Sequence, residues 1–160
     1  MMRFRTALAA ASAACLITAT ALPAAAGGGG HGGGVDENGL TRADRAELTR
    51  WATDTWASFV AMTDETTGLP ADNIEGTLDT ATRSGYTSPT NIGAYLWSTV
   101  VADELDLVSH REATRRLNQT LTTVAGLERH EASGMFYNWY DEGTGAKLTT
   151  FPGGETVYPF

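Results

Sequence analysis

The alternation of apolar and polar positions predicts a first helix that begins after Thr41. Thr41 and Asp44 have the spacing of a capping box, in which each side chain bonds to the backbone N–H of the other residue. Apolar side chains then recur at helical spacing and form one face over three turns: Leu48, Trp51, Ala52, Trp56, Phe59 and Val60. Because large aromatic side chains at this spacing are usually core residues, we predict that this face is buried and is not a ligand site.

Two further helices are predicted after a long irregular segment, residues 64–87. Ser88 and Pro89 provide an N-cap and a first-turn proline, and residues 92–102 are apolar or small on every side, so this helix should be buried all round. The third helix begins after Ser109, with Glu112 in capping-box position. Its inward face should comprise Ala113, Leu117, Leu121, Val124 and Leu127, with Arg111, Arg115, Arg116 and Gln119 facing solvent.

Beyond the third helix the pattern becomes short and irregular. Residues 135–140 are rich in aromatic side chains, the pattern at residues 141–145 predicts a turn, and residues 147–151 can be extended. An apolar helix followed closely by an amphipathic one is typical of the inner and outer helices of a hairpin in a layered helical fold. We therefore predict an all-α fold with a short extended segment, and we expect residues 39–160 to be the N-terminal part of a longer domain.

The N-terminus predicts export. Arg3 and Arg5 precede an uncharged apolar run, and the small residues Ala24 and Ala26 stand before a glycine-rich stretch, so residues 1–26 have the pattern of a cleavable signal peptide. The alternative, a membrane anchor, is disfavoured because the run falls short of the ~20 residues that span a bilayer. We predict a secreted, extracellular protein in which residues 27–38 are a flexible leader.

Cysteine content and charge exclude several function classes. The single cysteine, Cys15, lies in the predicted signal peptide, so the mature chain has no thiol for a disulfide, a nucleophile or a metal site. Loss of Arg3 and Arg5 changes the net charge from −8 to −10, which argues against nucleic acid or an anionic membrane as partner. Motifs for metal, phosphate or a serine nucleophile are missing, and we predict no cofactor and no metal.

Two segments repeat one short pattern. Residues 64–68 and 141–145 share a D-E-x-T-G frame. The simpler interpretation is a pair of Asx-type turns, in which an Asp side chain accepts bonds from the backbone just after it. A calcium loop is poorly supported, because neither copy has oxygen ligands at alternate positions.

The strongest candidate site is the run Phe-Tyr-Asn-Trp-Tyr-Asp at residues 136–141. Flat aromatic rings cover the apolar C–H face of a sugar ring, while amide and carboxylate groups bond to its hydroxyls. The alternative is a short buried strand whose polar residues cap a turn. A neutral sugar polymer is compatible with the acidic charge of the chain.

The sequence resembles the N-terminal part of the bacterial glucoamylase-like family, which includes β-1,2-glucan-active glycoside hydrolases and domains of cyclic β-glucan synthases. The resemblance covers roughly residues 45–160 and is carried by Gly-Leu-Pro-Ala-Asp at 68–72, Thr-Ser-Pro-Thr-Asn-Ile-Gly at 87–93 and the aromatic run at 136–141. It implies a partial (α/α)6 toroid, with about three of twelve helices in this chain, and a glucan-type polysaccharide or oligosaccharide as partner.

The resemblance implies substrate-binding positions but no catalytic pair. It places near the cleft the candidates Asn91, Tyr137, Asn138, Trp139 and Asp141, and it makes Asp64 and Asp72 further subsite candidates. Glycoside hydrolysis needs two carboxyl groups, and the acid is expected beyond residue 160, so the chain alone should be inactive. The alternative is a non-catalytic extracellular carbohydrate-binding or structural domain. The oligomeric state stays open.

Overall fold

A computed structural model describes residues 34–156, so the predicted signal peptide and most of the leader lie outside the described residues. The elements are α1 (Arg42–Met62), a 3-10 turn (Thr80–Thr82), β1 (Tyr86–Thr87), α2 (Pro89–Glu104), α3 (His110–Gly126) and β2 (Tyr140–Asp141). The described part is mostly helical, as predicted, with three α-helices and one small two-stranded sheet.

The helix starts lie where the sequence placed them, since capping is a local interaction. Thr41 and Asp44 form the complete capping box, and Ser88 accepts a bond from the Asn91 N–H. Ser109 accepts from the Glu112 N–H, but the Glu112 carboxylate bonds to Arg115 at 2.7 Å instead of completing the box. That hydrogen bond is the main reason why the pKa of Glu112 is lowered to about 2.

The core lies where the start of α2 meets the end of α3. Its buried members are Leu69, Ile92, Leu127 and Tyr140. Leu69 and Tyr140 come from outside the helices and are fully buried, as is Ala71 in the irregular segment. The irregular segment at residues 64–87 therefore supplies part of the core.

The prediction of a buried face on α1 was wrong: no residue of α1 is fully buried, and three members of the face are exposed. Leu48, Trp51 and Val60 are 46%, 53% and 38% exposed. α1 packs on α2 through its middle, where the rings of Trp56 and Phe59 lie 6.3 and 6.2 Å from the Tyr95 ring. One neighbouring helix covers only part of an apolar stripe, so the remaining side chains face solvent.

The predicted burial of α2 on all sides and of Leu121 on α3 was also wrong. Trp97 is 71% exposed, and Val100 and Leu121 are about half exposed. Conversely, Arg116 and Gln119 of α3, which were predicted to face solvent, are half-buried. The Gln119 side-chain amide donates to the backbone carbonyls of Glu65 and Thr66. Among the described helices, none has the length and apolar character needed to cross a membrane.

Candidate functional site

The same tight turn occurs three times in the described part of the chain. Turn 1 spans residues 63–70, turn 2 residues 129–136 and turn 3 residues 140–147, and the first and last residues of each form an antiparallel bridge. In each turn a glycine N–H donates to the carbonyl four residues earlier, at 2.9, 2.7 and 2.8 Å. These glycines, Gly68, Gly134 and Gly145, have φ angles near +70°. The repeated pattern thus marks a repeated structure.

The side chains confirm the Asx-turn interpretation of the two predicted copies. Asp64 Oδ1 accepts from the N–H groups of Thr66 and Thr67, and Asp141 Oδ1 accepts from Thr144 N–H at 2.8 Å. Turn 2 was missed because His130 and Ser133 replace the Asp and Thr of the frame. Turn 2 shares with the D-E-x-T-G frame only the Glu at the second position and the Gly at the fifth.

Short extended segments run side by side next to turn 3. The Asp72 N–H donates to the Tyr86 carbonyl at 2.8 Å, and Tyr86 pairs with Asp141 across the β1–β2 ladder. On the other side of β2, the Asp141 N–H donates to the Ala146 carbonyl at 2.8 Å. This arrangement brings residues from the irregular segment beside the aromatic run.

The three aromatic rings of Tyr86, Trp139 and Phe151 form a cluster on this surface. Ring centroids lie 5.3 Å apart for Tyr86 and Trp139, 4.5 Å for Tyr86 and Phe151, and 5.2 Å for Trp139 and Phe151. All three side chains are half-buried, so each ring keeps accessible surface. The two pairs that involve Trp139 are edge-to-face, a favourable arrangement of aromatic rings, and Tyr86 and Phe151 are tilted by 40°.

A groove with a volume of about 450 Å³ opens beside the cluster. Tyr86 and Phe151 form its apolar part, and Asn73, Ser84 and Glu155 add polar groups. The Ser84 hydroxyl is fixed by the Asp72 and Asn73 N–H groups and by the Tyr86 carbonyl. The groove therefore combines aromatic surface with hydroxyl, amide and carboxyl groups, as a sugar site requires.

A carboxylate held by two amides lies next to this groove. Asp72 Oδ1 accepts from Asn91 Nδ2 at 2.8 Å, and Asp72 Oδ2 accepts from Asn73 Nδ2 at 3.3 Å. Asn91 lies in the first turn of α2, where the helix dipole also favours negative charge. Asn91 and Asp72 were identified separately from the motifs at 87–93 and 68–72, whereas Asn73 and Ser84 were missed because they belong to neither motif.

The structure separates the remaining predicted site residues. Trp139 belongs to the aromatic cluster, and Asn138 is exposed. Tyr137 packs against the core and has the Lys147 ammonium 4.3 Å from its ring centre. Asp141 uses Oδ1 to form turn 3. Of the predicted group, Trp139 thus packs against Tyr86 and Phe151, the two rings that line the groove, and Asn91 lies beside Asp72. Tyr137 serves packing, and Asp141 serves a turn.

Tyr140 anchors the aromatic run in the core. Its ring is fully buried, its hydroxyl donates to the Glu128 carbonyl at 2.7 Å, and it accepts from the Tyr137 N–H at 2.8 Å. Burial raises the pKa of Tyr140 above its usual value, so the phenol stays protonated. Trp139 directly precedes this anchored residue in the chain.

An ionic junction, in which Glu142 is buried and Arg83 and Asp64 are half-buried, connects turn 1 to turn 3. Arg83 lies between them, with Nη2 3.4 Å from Asp64 Oδ2 and Nε 3.1 Å from Glu142 Oε1. The Thr67 hydroxyl donates to the Glu142 carbonyl at 2.5 Å. Burial raises the pKa of Glu142 to about 7, an effect that Arg83 partly offsets. This junction could not be predicted from the sequence, because its members are far apart along the chain.

Within residues 34–156, no group of three His, Cys, Asp or Glu side chains is arranged to hold a metal ion.

Comparison with known proteins places these residues in a family. The chain is 36% identical over 95 residues to the cyclic beta-(1,2)-glucan synthase NdvB of Rhizobium meliloti (strain 1021). That match covers 59% of this chain and 3% of the synthase, so the chain spans only a small part of its relative. A family model described as a protein of unknown function (DUF3131) matches residues 50–147, which include β1, the three turns and the aromatic run. The chain therefore belongs to the DUF3131 family.

Proposed function

We propose that this chain binds a glucan-type polysaccharide or oligosaccharide in the groove beside Tyr86, Trp139 and Phe151. The observation that carries the proposal is the clustering of these three rings, 4.5–5.3 Å apart, next to the polar groups of Asn73 and Ser84. A pyranose ring has apolar C–H faces and equatorial hydroxyls, and it needs both kinds of surface at once.

The synthase relative supports a glucan as the sugar. Its name specifies a cyclic beta-(1,2)-glucan, and 36% identity over 95 residues is compatible with a shared ligand class. The family match over residues 50–147 includes Tyr86, Asn91 and Trp139. The net charge of −8 favours an uncharged glucan over a polymer with anionic groups.

In the proposed complex, a glucose unit lies against the exposed ring surfaces of Tyr86 and Phe151, with Trp139 behind them. The Asn73 side chain bonds to hydroxyls at one edge, and the Glu155 carboxylate accepts from hydroxyls at the other. Asp72, held by Asn91, provides a further acceptor for a neighbouring sugar unit. Because these groups lie on turns attached to a rigid core, little ordering is needed on binding.

We further propose that the protein is exported and that α1, α2 and α3 are the first helices of a glycoside hydrolase-like toroid. The exposed apolar residues Trp51, Trp97 and Leu121 support such an arrangement, since in a ring of helical hairpins each helix has neighbours on both sides. The expected two-carboxylate chemistry would then use at least one group from another part of the domain.

The alternative function is a non-catalytic carbohydrate-binding domain. The observation that favours it is that four carboxylates near the groove are engaged in contacts within the protein, so that Glu155 is the one carboxylate among the described residues that lines the groove. Asp64 and Asp141 form turns, Asp72 is held by two amides, and Glu142 is buried against Arg83. Side chains held in this way position other groups and are poorly placed to transfer protons to a glycosidic oxygen.

Titration calorimetry of the full chain with β-1,2-glucooligosaccharides tests the binding proposal. Phe151→Ala and Trp139→Ala should each weaken binding about tenfold, since one removes a contact surface and the other its support. Trp97→Ala is the matched control, because Trp97 is an exposed tryptophan on α2 outside the groove. Circular dichroism verifies the fold of each variant.

Equal affinity for the wild type, Phe151→Ala and Trp139→Ala would contradict the groove as the binding site. A reducing-sugar assay on the same samples tests where the catalytic carboxyl groups lie. Both functions predict binding without turnover by this chain, and turnover would contradict the binding domain and would place both catalytic carboxyl groups within residues 1–160.

A further inference from the structure

Glu142 occupies a position that recurs in all three turns but is buried in only one. The second residue of the repeated frame is Glu65 in turn 1, Glu131 in turn 2 and Glu142 in turn 3. Glu65 and Glu131 are exposed, whereas Glu142 is only 5% exposed. The turn itself therefore forms without a buried glutamate, and the burial of Glu142 serves something outside the turn.

The surroundings of Glu142 hold more negative than positive charge. Its Oε1 lies 3.1 Å from Arg83 Nε, while its Oε2 is buried and has no hydrogen-bond partner. The charged groups that act on it are Arg83, Asp64 of turn 1 and Asp141 of β2. One guanidinium thus stands among three carboxyl groups, and a single proton on Glu142 reduces the excess negative charge.

The backbone connects this cluster directly to the groove. Arg83 lies three residues before Tyr86, and Glu142 lies three residues after Trp139. The Glu142 N–H donates to the Gly85 carbonyl at 3.4 Å, next to the Tyr86–Asp141 pair of the ladder. The two chain segments that present the Tyr86 and Trp139 rings are therefore joined at Glu142.

We propose that Glu142 is a positioning residue whose protonation closes the junction between residues 83–86 and 139–142 and so sets the Tyr86 and Trp139 rings for glucan binding. The inference rests on the proposed function for its second half, the effect on glucan. The proton comes from solvent and is held by the Glu142 carboxyl. The neutral group keeps an oxygen that accepts from Arg83, and it no longer repels Asp64 and Asp141.

The direction of the pH effect follows from linkage. Because burial raises the pKa of Glu142 to about 7, the closed junction binds a proton more readily than an opened one. Raising the pH through about 7 therefore favours opening. Glucan affinity should be highest below this pH and should fall above it.

The experiment uses the full chain as wild type, Glu142→Gln and Glu131→Gln. Glutamine keeps the shape of Glu142 and an oxygen acceptor for Arg83 but cannot titrate. Glu131→Gln is the matched control, since it changes the exposed glutamate at the same position of turn 2. The Trp139 indole signal in NMR spectra and calorimetry with β-1,2-glucooligosaccharides are followed from about pH 5 to about pH 9, a range that covers the titration of a raised carboxyl group.

In the wild type and Glu131→Gln, the indole signal should shift with a midpoint near pH 7, and affinity should fall several-fold on the alkaline side. Glu142→Gln should show neither change and should keep the affinity that the wild type has at low pH. A pH-independent wild type, or Glu142→Gln that titrates like the wild type, would overturn the inference.

Carbon-13 detection of the Glu142 carboxyl in the wild type decides the question even when Glu142→Gln fails to fold. A midpoint near pH 7 that coincides with the Trp139 shift supports the junction, and a midpoint below about pH 5 overturns it. If no variant binds the oligosaccharide at any pH, the proposed function fails, and the Trp139 and Glu142 titrations still decide whether the junction closes on protonation.

Discussion

The Thr120 hydroxyl donates a hydrogen bond to the Gly68 carbonyl at 2.8 Å, and this contact seats turn 1 directly against α3. Thr120 is fully buried and Gly68 has a φ angle of +70°, so neither residue has freedom to adjust. The Gln119 side chain donates to the Glu65 carbonyl, and the Thr123 hydroxyl donates to the Thr67 carbonyl. A row of side chains on α3 thus holds the whole of turn 1.

Gly68→Ala should destabilise the protein by about 3 kcal/mol, because it combines strain at positive φ with a steric clash. A Cβ at this position would lie 3.0 Å from Gln119 Cγ and 3.1 Å from Thr120 N. Gly134→Ala is the control: its φ is +68°, but nothing lies within 4 Å of its Cβ, so about 1 kcal/mol is expected. Urea denaturation measures both, and equal losses would show that the contact with α3 is unimportant.

Thr120→Val should cost about 1–2 kcal/mol, since it leaves the buried Gly68 carbonyl without this donor while keeping the side-chain volume. Thr122→Val is the matched change on the exposed side of α3, where the hydroxyl bonds only within the helix, to the Asn118 carbonyl. That variant should be nearly neutral. Chemical denaturation of the two proteins in parallel provides the comparison, and a neutral Thr120→Val would remove the case for this anchor.

Glu142 should make the folded protein more sensitive to alkaline pH. Its folded pKa of about 7 lies above its ordinary value of 4.5, so its favourable contribution is complete below pH 4.5 and is lost as the pH rises through about 7. Glu142→Gln should therefore raise stability on the alkaline side, by at most about 3 kcal/mol. Thermal melts across this range measure the difference, and parallel stability curves for the two proteins would contradict it.

Glu112 should act in the opposite direction. Its pKa of about 2 lies below the ordinary 4.5, so the stabilising bonds to Arg115 and Arg116 are present above pH 4.5 and are lost as the pH falls toward 2. Glu112→Gln should reduce the loss of α3 stability in acid. Circular dichroism at 222 nm as a function of pH follows this helix-dominated signal, and an unchanged acid transition would show that the pair contributes little, as is common for exposed ion pairs.

Export predicts a specific mature N-terminus. A secreted sample should begin at Gly27, because Ala24 and Ala26 place small side chains at the two positions that signal peptidase reads. Intact mass spectrometry of the extracellular protein identifies the first residue. Secreted protein that keeps residues 1–26 would contradict the signal peptide.

Local interactions were predictable from the sequence, and burial was not. Thr41, Ser88 and Ser109 mark the helix starts because a cap depends on residues three positions away. The exposure of Trp51 and Trp97 depends on which elements pack beside them, and helical spacing alone does not contain that information. The spacing shows which side chains share a face but not how much of that face a neighbour covers.

The candidate site shows the same division. The aromatic run identified Trp139, but its partners Tyr86 and Phe151 come from separate segments and meet it only in the fold. The junction at Arg83 joins residues 64 and 142, which share a motif but no sequence signal of contact. Turn 2 could have been found by accepting His for Asp and Ser for Thr in the repeated frame.

The burial of Leu69 and Tyr140 has a consequence for how the chain reaches its native state. The α2–α3 hairpin can form from neighbouring residues, but its shared apolar face is covered by side chains from before α2 and from after α3. Both segments must fold back onto the helices, each closing a loop of chain, before the shared apolar face of the helices is buried. The slow step of folding is thus expected to be the docking of irregular segments onto a helical hairpin that forms early, a reversal of the usual view that loops settle last.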